Sequence, residues 1–314
     1  MGRLSKDKRD VFYRRAKESG YRARSAYKLL QIDAEFNLFD STPKNVHSST
    51  TTQQLEIRRA VDLCAAPGSW SQVLSAKLPP STKNDDGEEE DGPNIVAVDL
   101  QPMAPLPGVL CMQGDITSLD TAQGIISHFK GKRAELVVCD GAPDVTGLHD
   151  IDEYVQGQLL LSAINISTHV LCEQGTFVSK IFRGRDVGLL YTQLRILFDR
   201  VSIAKPSSSR NSSIEAFVVC QGFKGGEYMN LPLEGGFDNV TVEGKWRSGA
   251  GGLRADGGGS TILPSIVPFI ACGDLSGYVA PAGSFGYLDS DKSYPLDDEG
   301  TTKERSELTR TIGP

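Results

Sequence analysis

Seven short apolar runs alternate with helix-like stretches along most of this chain, and that alternation restricts the fold more than any other feature. The strand-like runs are 59–64, 95–100, 109–113, 135–140, 176–182, 200–205 and 215–221, with helical spacing over 69–78, 121–130, 153–170 and 187–198. In the third of these helical stretches Val155, Leu159, Ile164, Ile166 and Val170, with their apolar neighbours, give a broad face to bury. The pattern predicts an α/β fold, a mostly parallel seven-stranded sheet with helices on both faces. The last two runs are joined only by 206–214, which suits an antiparallel pair at the sheet edge.

The first run leads into Cys64-Ala65-Ala66-Pro67-Gly68-Ser69-Trp70, a strand that ends in a turn of small residues and enters a helix. Without bulk at Ala65, Ala66 and Gly68 a ligand can come close to the backbone, and the N–H groups opening the helix can face its polar atoms. The turn has neither the lysine of a P-loop nor the three glycines of a dinucleotide fingerprint. A nucleoside without a pyrophosphate fits better, which points to S-adenosylmethionine and argues against a nicotinamide oxidoreductase. A tight strand-to-helix turn with no ligand would show the same residue types.

In such a sheet, function gathers at the carboxyl ends of the strands. Reading those ends in order gives Gly68 and Trp70, then Asp99, Asp115 and Asp140. Asp99 is placed to accept the ribose hydroxyls, Asp115 to meet an adenine amino group, and Trp70 to pack beside the ligand. A single strand-end Asp is more often a turn former, but three in consecutive crossovers form a nucleoside pattern. The fifth run carries Lys180 among apolar residues, and a buried lysine is costly unless paired. Glu215 opens the seventh run, so Lys28, Asp140, Lys180 and Glu215 can converge. A catalytically idle RNA-binding adaptor would have no need of Lys180 and Glu215 together.

The net charge of −7 argues against a nucleic-acid partner until its distribution is considered. Residues 1–30 hold ten Lys or Arg against three acids, interleaved with Phe12, Tyr13, Tyr21 and Tyr27. Such an arm suits phosphate contact and stacking on unpaired bases, with Lys6, Lys8, Arg9, Arg22 and Arg24 as candidate RNA contacts. The six cysteines are scattered through apolar runs with no C-x-x-C pair, so reduced thiols are expected, with no metal site and no disulfide framework. No apolar run is long enough to span a membrane, and the N-terminus is charged, so a soluble cytoplasmic protein is expected.

The organisation expected is a basic arm and first helix over 1–40, an insertion at 41–58, and a core over 59–223 interrupted by an acidic loop at 79–93. A Gly-rich, largely irregular tail follows over 224–314. Within that tail, 262–296 contains an apolar island suited to packing on the domain or on a partner.

Taken together, these residues resemble the FtsJ-like RNA ribose 2′-O-methyltransferases. The resemblance rests on Ser25-Ala26-Tyr27-Lys28-Leu29-Leu30, the Asp62–Trp70 turn, Asp99, Gly114-Asp115, Asp140 through Pro143, Lys180 through Gly184, and Lys205-Pro206 through Glu215. It implies a Rossmann-like S-adenosylmethionine-dependent methyltransferase fold. The family's Lys-Asp-Lys-Glu catalytic set falls on Lys28, Asp140, Lys180 and Glu215, and its cofactor contacts on Gly68, Trp70, Asp99, Asp115 and Asp140. Within the family the chain is most similar to the branch acting on the anticodon loop of eukaryotic cytosolic tRNA. That branch implies methylation at nucleotides 32 and 34, with an armadillo-like or HEAT-like helical-repeat partner for the first and a WD40 propeller for the second. A ribosomal RNA enzyme of the same family would share every catalytic residue.

Overall fold

The computed structural model describes residues 10–39, 55–78, 94–143, 148–183, 187–210, 213–230 and 269–272. All seven expected strands form: β1 (Ala60–Leu63), β2 (Ile95–Asp99), β3 (Val109–Gln113), β4 (Ala134–Cys139), β5 (Leu171–Phe182), β6 (Phe198–Pro206) and β7 (Glu215–Phe223). An eighth, β8 (Phe269–Cys272), comes from the tail. The helices are α1 (Val11–Glu18), α2 (Ala26–Phe36), α3 (Ser69–Lys77), α4 (Leu119–His128), α5 (His149–Val170) and α6 (Val187–Leu197).

Strand order is β3-β2-β1-β4-β5-β7-β6-β8, with β7 antiparallel to both of its neighbours. Period-two alternation assigns each strand's side chains to one of two cores. Val61, Leu63, Val96, Val98, Val137 and Cys139 pack with α4, α5 and α6 through Ile125, Ile164 and Leu194. Their neighbours Ala60, Ile95, Ala97, Leu136 and Val138 pack the other way, against α2 and α3 through Leu29, Ile32, Val73 and Leu74. Helices therefore cover both faces, and the order in which strands join the sheet reverses between the parallel neighbours β1 and β4. That reversal opens a crevice at the strands' carboxyl ends.

The seven expected strands form a mostly parallel sheet, and one expectation is corrected: among the described residues an eighth strand joins it, so the antiparallel pair β6–β7 does not form its edge. Strand β8 lies parallel to β6, pairing Ile203 through Pro206 with Phe269 through Cys272, and so covers N–H and C=O groups that an open edge would leave unpaired. Strand β5 also begins earlier than its apolar run, because the register shifts between Ala134 and Leu136 and lets Leu171 pair with Ala134. Lys6, Lys8 and Arg9, the acidic loop 79–93, and most of the tail lie outside the described residues.

Candidate active site

The β5–β7 ladder sets Lys180 opposite Phe217 and Phe182 opposite Glu215. Since alternate residues share a face, Lys180, Phe217 and Glu215 all lie on the side that α2 covers. Lys28, in the first turn of α2, reaches the same spot, and Asp140 arrives from the end of β4. Lys28 Nζ is 2.8 Å from Glu215 Oε2 and 4.0 Å from Asp140 Oδ1. Lys180 Nζ is 2.6 Å from Asp140 Oδ1 and 3.8 Å from Glu215 Oε2, and it also donates to the Asp140 carbonyl at 2.7 Å. The structure thus brings together all four residues that the sequence singled out.

None of the four side chains is more than 15% exposed, so each charge depends on the others. Burial by itself lowers the pKa of Lys180, but the charges of Asp140 and Glu215 outweigh it and hold the ammonium above the ordinary lysine value. For Glu215, burial raises the pKa, and Lys28 and Lys180 more than reverse that, bringing the carboxyl down to about 2. The Lys180 ammonium and the Glu215 carboxylate are therefore each held in the charged form by the opposite charges beside them.

Groups that sequence reasoning missed fix this arrangement. Ser209 donates to Glu215 Oε1, leaving Oε2 to Lys28. Gln31, one turn along α2 from Lys28, donates to Ser207 Oγ at 2.8 Å and accepts from the Ser208 N–H at 2.9 Å. Lys205 Nζ donates to the carbonyls of Ser213 and Glu215 at 2.9 and 2.6 Å. Gln156 of α5 donates to the Lys180 carbonyl at 3.0 Å. The sequence signalled Lys205 and Ser209 only as part of the 205–215 stretch of the family resemblance, with no role given, and the run Ser207-Ser208-Ser209 also reads as an ordinary turn.

At the crevice, Gly68 caps α3 with φ +99°, a conformation that favours glycine. Asp99 Oδ2 accepts from the Ala66 N–H at 2.9 Å, which holds the turn to the end of β2. Asp115 Oδ1 accepts from the Thr117 N–H and hydroxyl, both at 2.8 Å, as a turn former does. Trp70 departs from expectation. Its side chain is 1% exposed, stacks near Phe217 and donates to the Ser25 carbonyl at 2.8 Å. The indole joins α2, α3 and β7 in the core, so only its backbone remains for a ligand at the turn.

Below the turn, Asp62 is fully buried and accepts from Ser71 Oγ at 2.6 Å. Burial pushes its carboxyl up to about 7, with Asp140 and Asp99 adding to the rise and the Ser71 hydroxyl opposing it. Its other oxygen, Oδ1, is buried without a hydrogen-bond partner. A crevice with small residues at its turn and carboxylate acceptors at successive strand ends fits a nucleoside.

The two arm arginines also depart from expectation. Arg24 pairs with the buried Asp10, which caps α1, and donates to the Ser208 carbonyl. Arg22 donates to the Pro67 and Pro105 carbonyls at 2.9 and 3.0 Å. Both guanidiniums bind the protein's own backbone, where charge counting along the sequence had pointed them at phosphate.

The chain is similar to known proteins. The chain is 56% identical over 300 residues to the tRNA (cytidine(32)/guanosine(34)-2′-O)-methyltransferase of Homo sapiens, covering 96% of this chain and 78% of that protein. It is 50% identical over 299 residues to the Schizosaccharomyces pombe enzyme of the same name, covering 95% and 89%. A solved Plasmodium falciparum structure, assigned as a ribosomal RNA methyltransferase, superimposes with a TM-score of 0.51 at 24% identity. It covers 66% of this chain and all of that one, a likeness of fold. The sequence pattern of the FtsJ-like methyltransferases spans residues 21–223, the stretch that holds the whole crevice and all four charged side chains, and the chain belongs to that family.

Proposed function

We propose that the protein is an S-adenosylmethionine-dependent tRNA methyltransferase that modifies the ribose 2′-hydroxyls of nucleotides 32 and 34 in the anticodon loop. One observation carries this reading: Lys28, Asp140, Lys180 and Glu215 meet within 4.0 Å beside a nucleoside crevice. Identity across 96% of the chain to an enzyme of that name supports the choice of RNA.

Gly68, the Trp70 backbone, Asp99, Asp115 and Asp140 would hold the cofactor, which when bound supplies a methyl group on a positively charged sulfur. A ribose hydroxyl is a poor nucleophile, so positioning supplies most of the rate, on the scale of about 7–11 kcal/mol for well-oriented groups. With its pKa raised, Lys180 works as an ammonium rather than a base. It orients the hydroxyl oxygen and stabilises the negative charge growing there, and the hydroxyl proton passes to water late, as the methyl–sulfur bond breaks. Lys28 keeps Glu215 charged, and Asp140 and Glu215 hold Lys180 in place.

Lys6, Lys8 and Arg9 are the arm residues proposed to reach RNA, and the cytoplasm is the proposed site of action. Among the described residues no helix is long and apolar enough to cross a membrane. Shape-dependent recognition of tRNA takes more surface than one arm offers, which supports a WD40 partner for position 34 and a helical-repeat partner for position 32. The tail within 262–296 is the proposed propeller contact. Because β8 belongs to the sheet, the deletion that tests this contact begins after Cys272, and unchanged co-purification would remove it.

The reading is tested by incubating the purified protein with radiolabelled S-adenosylmethionine and unmodified tRNA, with and without the helper subunits, and mapping the labelled nucleotides. Label on ribose at 32 and 34 is expected. Label on ribosomal RNA alone would assign the protein to the other branch of the family.

A further inference from the structure

Arg22 lies in the connector between α1 and α2, and its contacts are those of a brace. Its N–H donates to Gln72 Oε1 of α3 at 2.7 Å, and Gln72 Nε2 returns a bond to the Gly20 carbonyl at 3.0 Å. Its guanidinium then spans the crevice mouth, one nitrogen on the carbonyl of Pro67 in the turn and the other on that of Pro105 beyond β2. Gly68 lies against the guanidinium so closely that a Cβ there would be 2.7 Å from Nη1. The φ of +99° favours glycine, and a Cβ there would push the guanidinium out of the place it takes between the two carbonyls.

From this geometry we infer that Arg22 is a positioning residue for cofactor binding, fixing the 65–68 turn against the 100–108 segment and tying both to the RNA-binding arm. The planar fork matters because two carbonyls on separate segments are held by two fixed donors, which a lysine ammonium cannot reproduce. Binding sites linked in this way affect each other reciprocally, so RNA on the arm changes cofactor affinity. The inference rests on the proposed use of S-adenosylmethionine.

The test uses the full chain with Arg22→Ala, Arg22→Lys and Gln72→Ala. Calorimetry measures the affinities for S-adenosylmethionine and its decarboxylated form, and fluorescence anisotropy measures tRNA affinity across a salt series. Arg22→Ala and Arg22→Lys should both weaken the two cofactors by on the order of tenfold, the loss of a charge-assisted hydrogen bond. Affinity for tRNA and its salt slope should stay at wild type, and tRNA should no longer alter cofactor affinity. Gln72→Ala loosens the same connector but leaves the fork, and should keep wild-type cofactor affinity.

Unchanged cofactor affinity with weaker RNA binding and a shallower salt slope would make Arg22 a phosphate contact and overturn the inference. So would full rescue by lysine, an equal loss in Gln72→Ala, or a loss confined to the cofactor that keeps its carboxylate. A wild-type chain that binds no S-adenosylmethionine would instead refute the proposed function.

Discussion

In the Lys28–Asp140–Lys180–Glu215 half of the cleft, charged groups from α2, β5, β7 and the end of β4 answer one another. In the Asp99–Asp115 half, each carboxylate answers backbone N–H groups of the protein. The difference separates two kinds of preorganisation. Among the four charges, the protonation states of Lys180 and Glu215 are set by partners distant in sequence, so loss of one partner changes the chemistry of the rest. Along the turn the backbone carries the shape, so a lost side chain costs affinity more than it costs chemistry.

The sharpest break is Lys180→Ala. It should lower the rate of methyl transfer by on the order of 10²–10³-fold, the scale for losing one donor aimed at developing charge. Cofactor affinity measured by calorimetry should barely move. Equal loss of both properties would erase the distinction between the halves. Because Lys180 is held above its ordinary value of 10.5, no rise in rate from its deprotonation should appear in a pH–rate profile below that value.

Glu215 offers a pH test of the same half. Its carboxyl titrates at about 2 in the folded protein against an ordinary 4.5, so the unfolded chain takes up the proton first as pH falls. The stabilisation is complete above pH 4.5 and is lost progressively towards pH 2, amounting to about 3 kcal/mol. Urea unfolding across that window should give a flatter stability curve for Glu215→Gln than for wild type. Parallel curves would show that Glu215 is not coupled to the lysines.

Arg24 anchors the wall beside those charges through the Ser208 carbonyl and the buried Asp10. Arg24→Ala should therefore reduce unfolding free energy by about 2 kcal/mol, the scale of a buried group left short of a partner, and leave the salt slope of RNA binding alone. A changed slope with unchanged stability would return Arg24 to the RNA surface. The smallest effect is expected in the other half: Asp99→Ala frees the Ala66 N–H and should weaken cofactor binding about tenfold. Its turnover at saturating cofactor should stay near wild type.

How much was legible in the sequence varied with the physics involved. Lys180 could be picked out because an ammonium in an apolar strand needs a partner, whereas the β5–β7 register that puts Glu215 on the same face is visible only in the structure. Arg22 and Arg24 could not be oriented, because phosphate and a backbone carbonyl both attract a guanidinium and composition does not distinguish them. Trp70 was read as a ligand contact because it follows the turn, yet its indole is drawn to the Ser25 carbonyl and Phe217, which lie 45 and 147 residues away in sequence. Asp115 keeps both readings, since a turn-forming carboxylate and an adenine acceptor are the same group. Strand β8 was visible only as part of an apolar island suited to packing on the domain or on a partner, and its place as a strand depends on the edge of β6 that pairs with it.

By itself, then, the sequence determined the alternating sheet, the small-residue turn and the identity of the four charges, because side-chain period and the cost of burying an unpaired ion are local constraints. Tertiary structure alone decided which cations face inward, which aromatic is core, and how Ser209 and Gln31 hold Glu215 and Lys28 in register. Those choices depend on which hydrogen-bonding groups meet once the two faces of the sheet are covered, and distance along the chain carries no record of that.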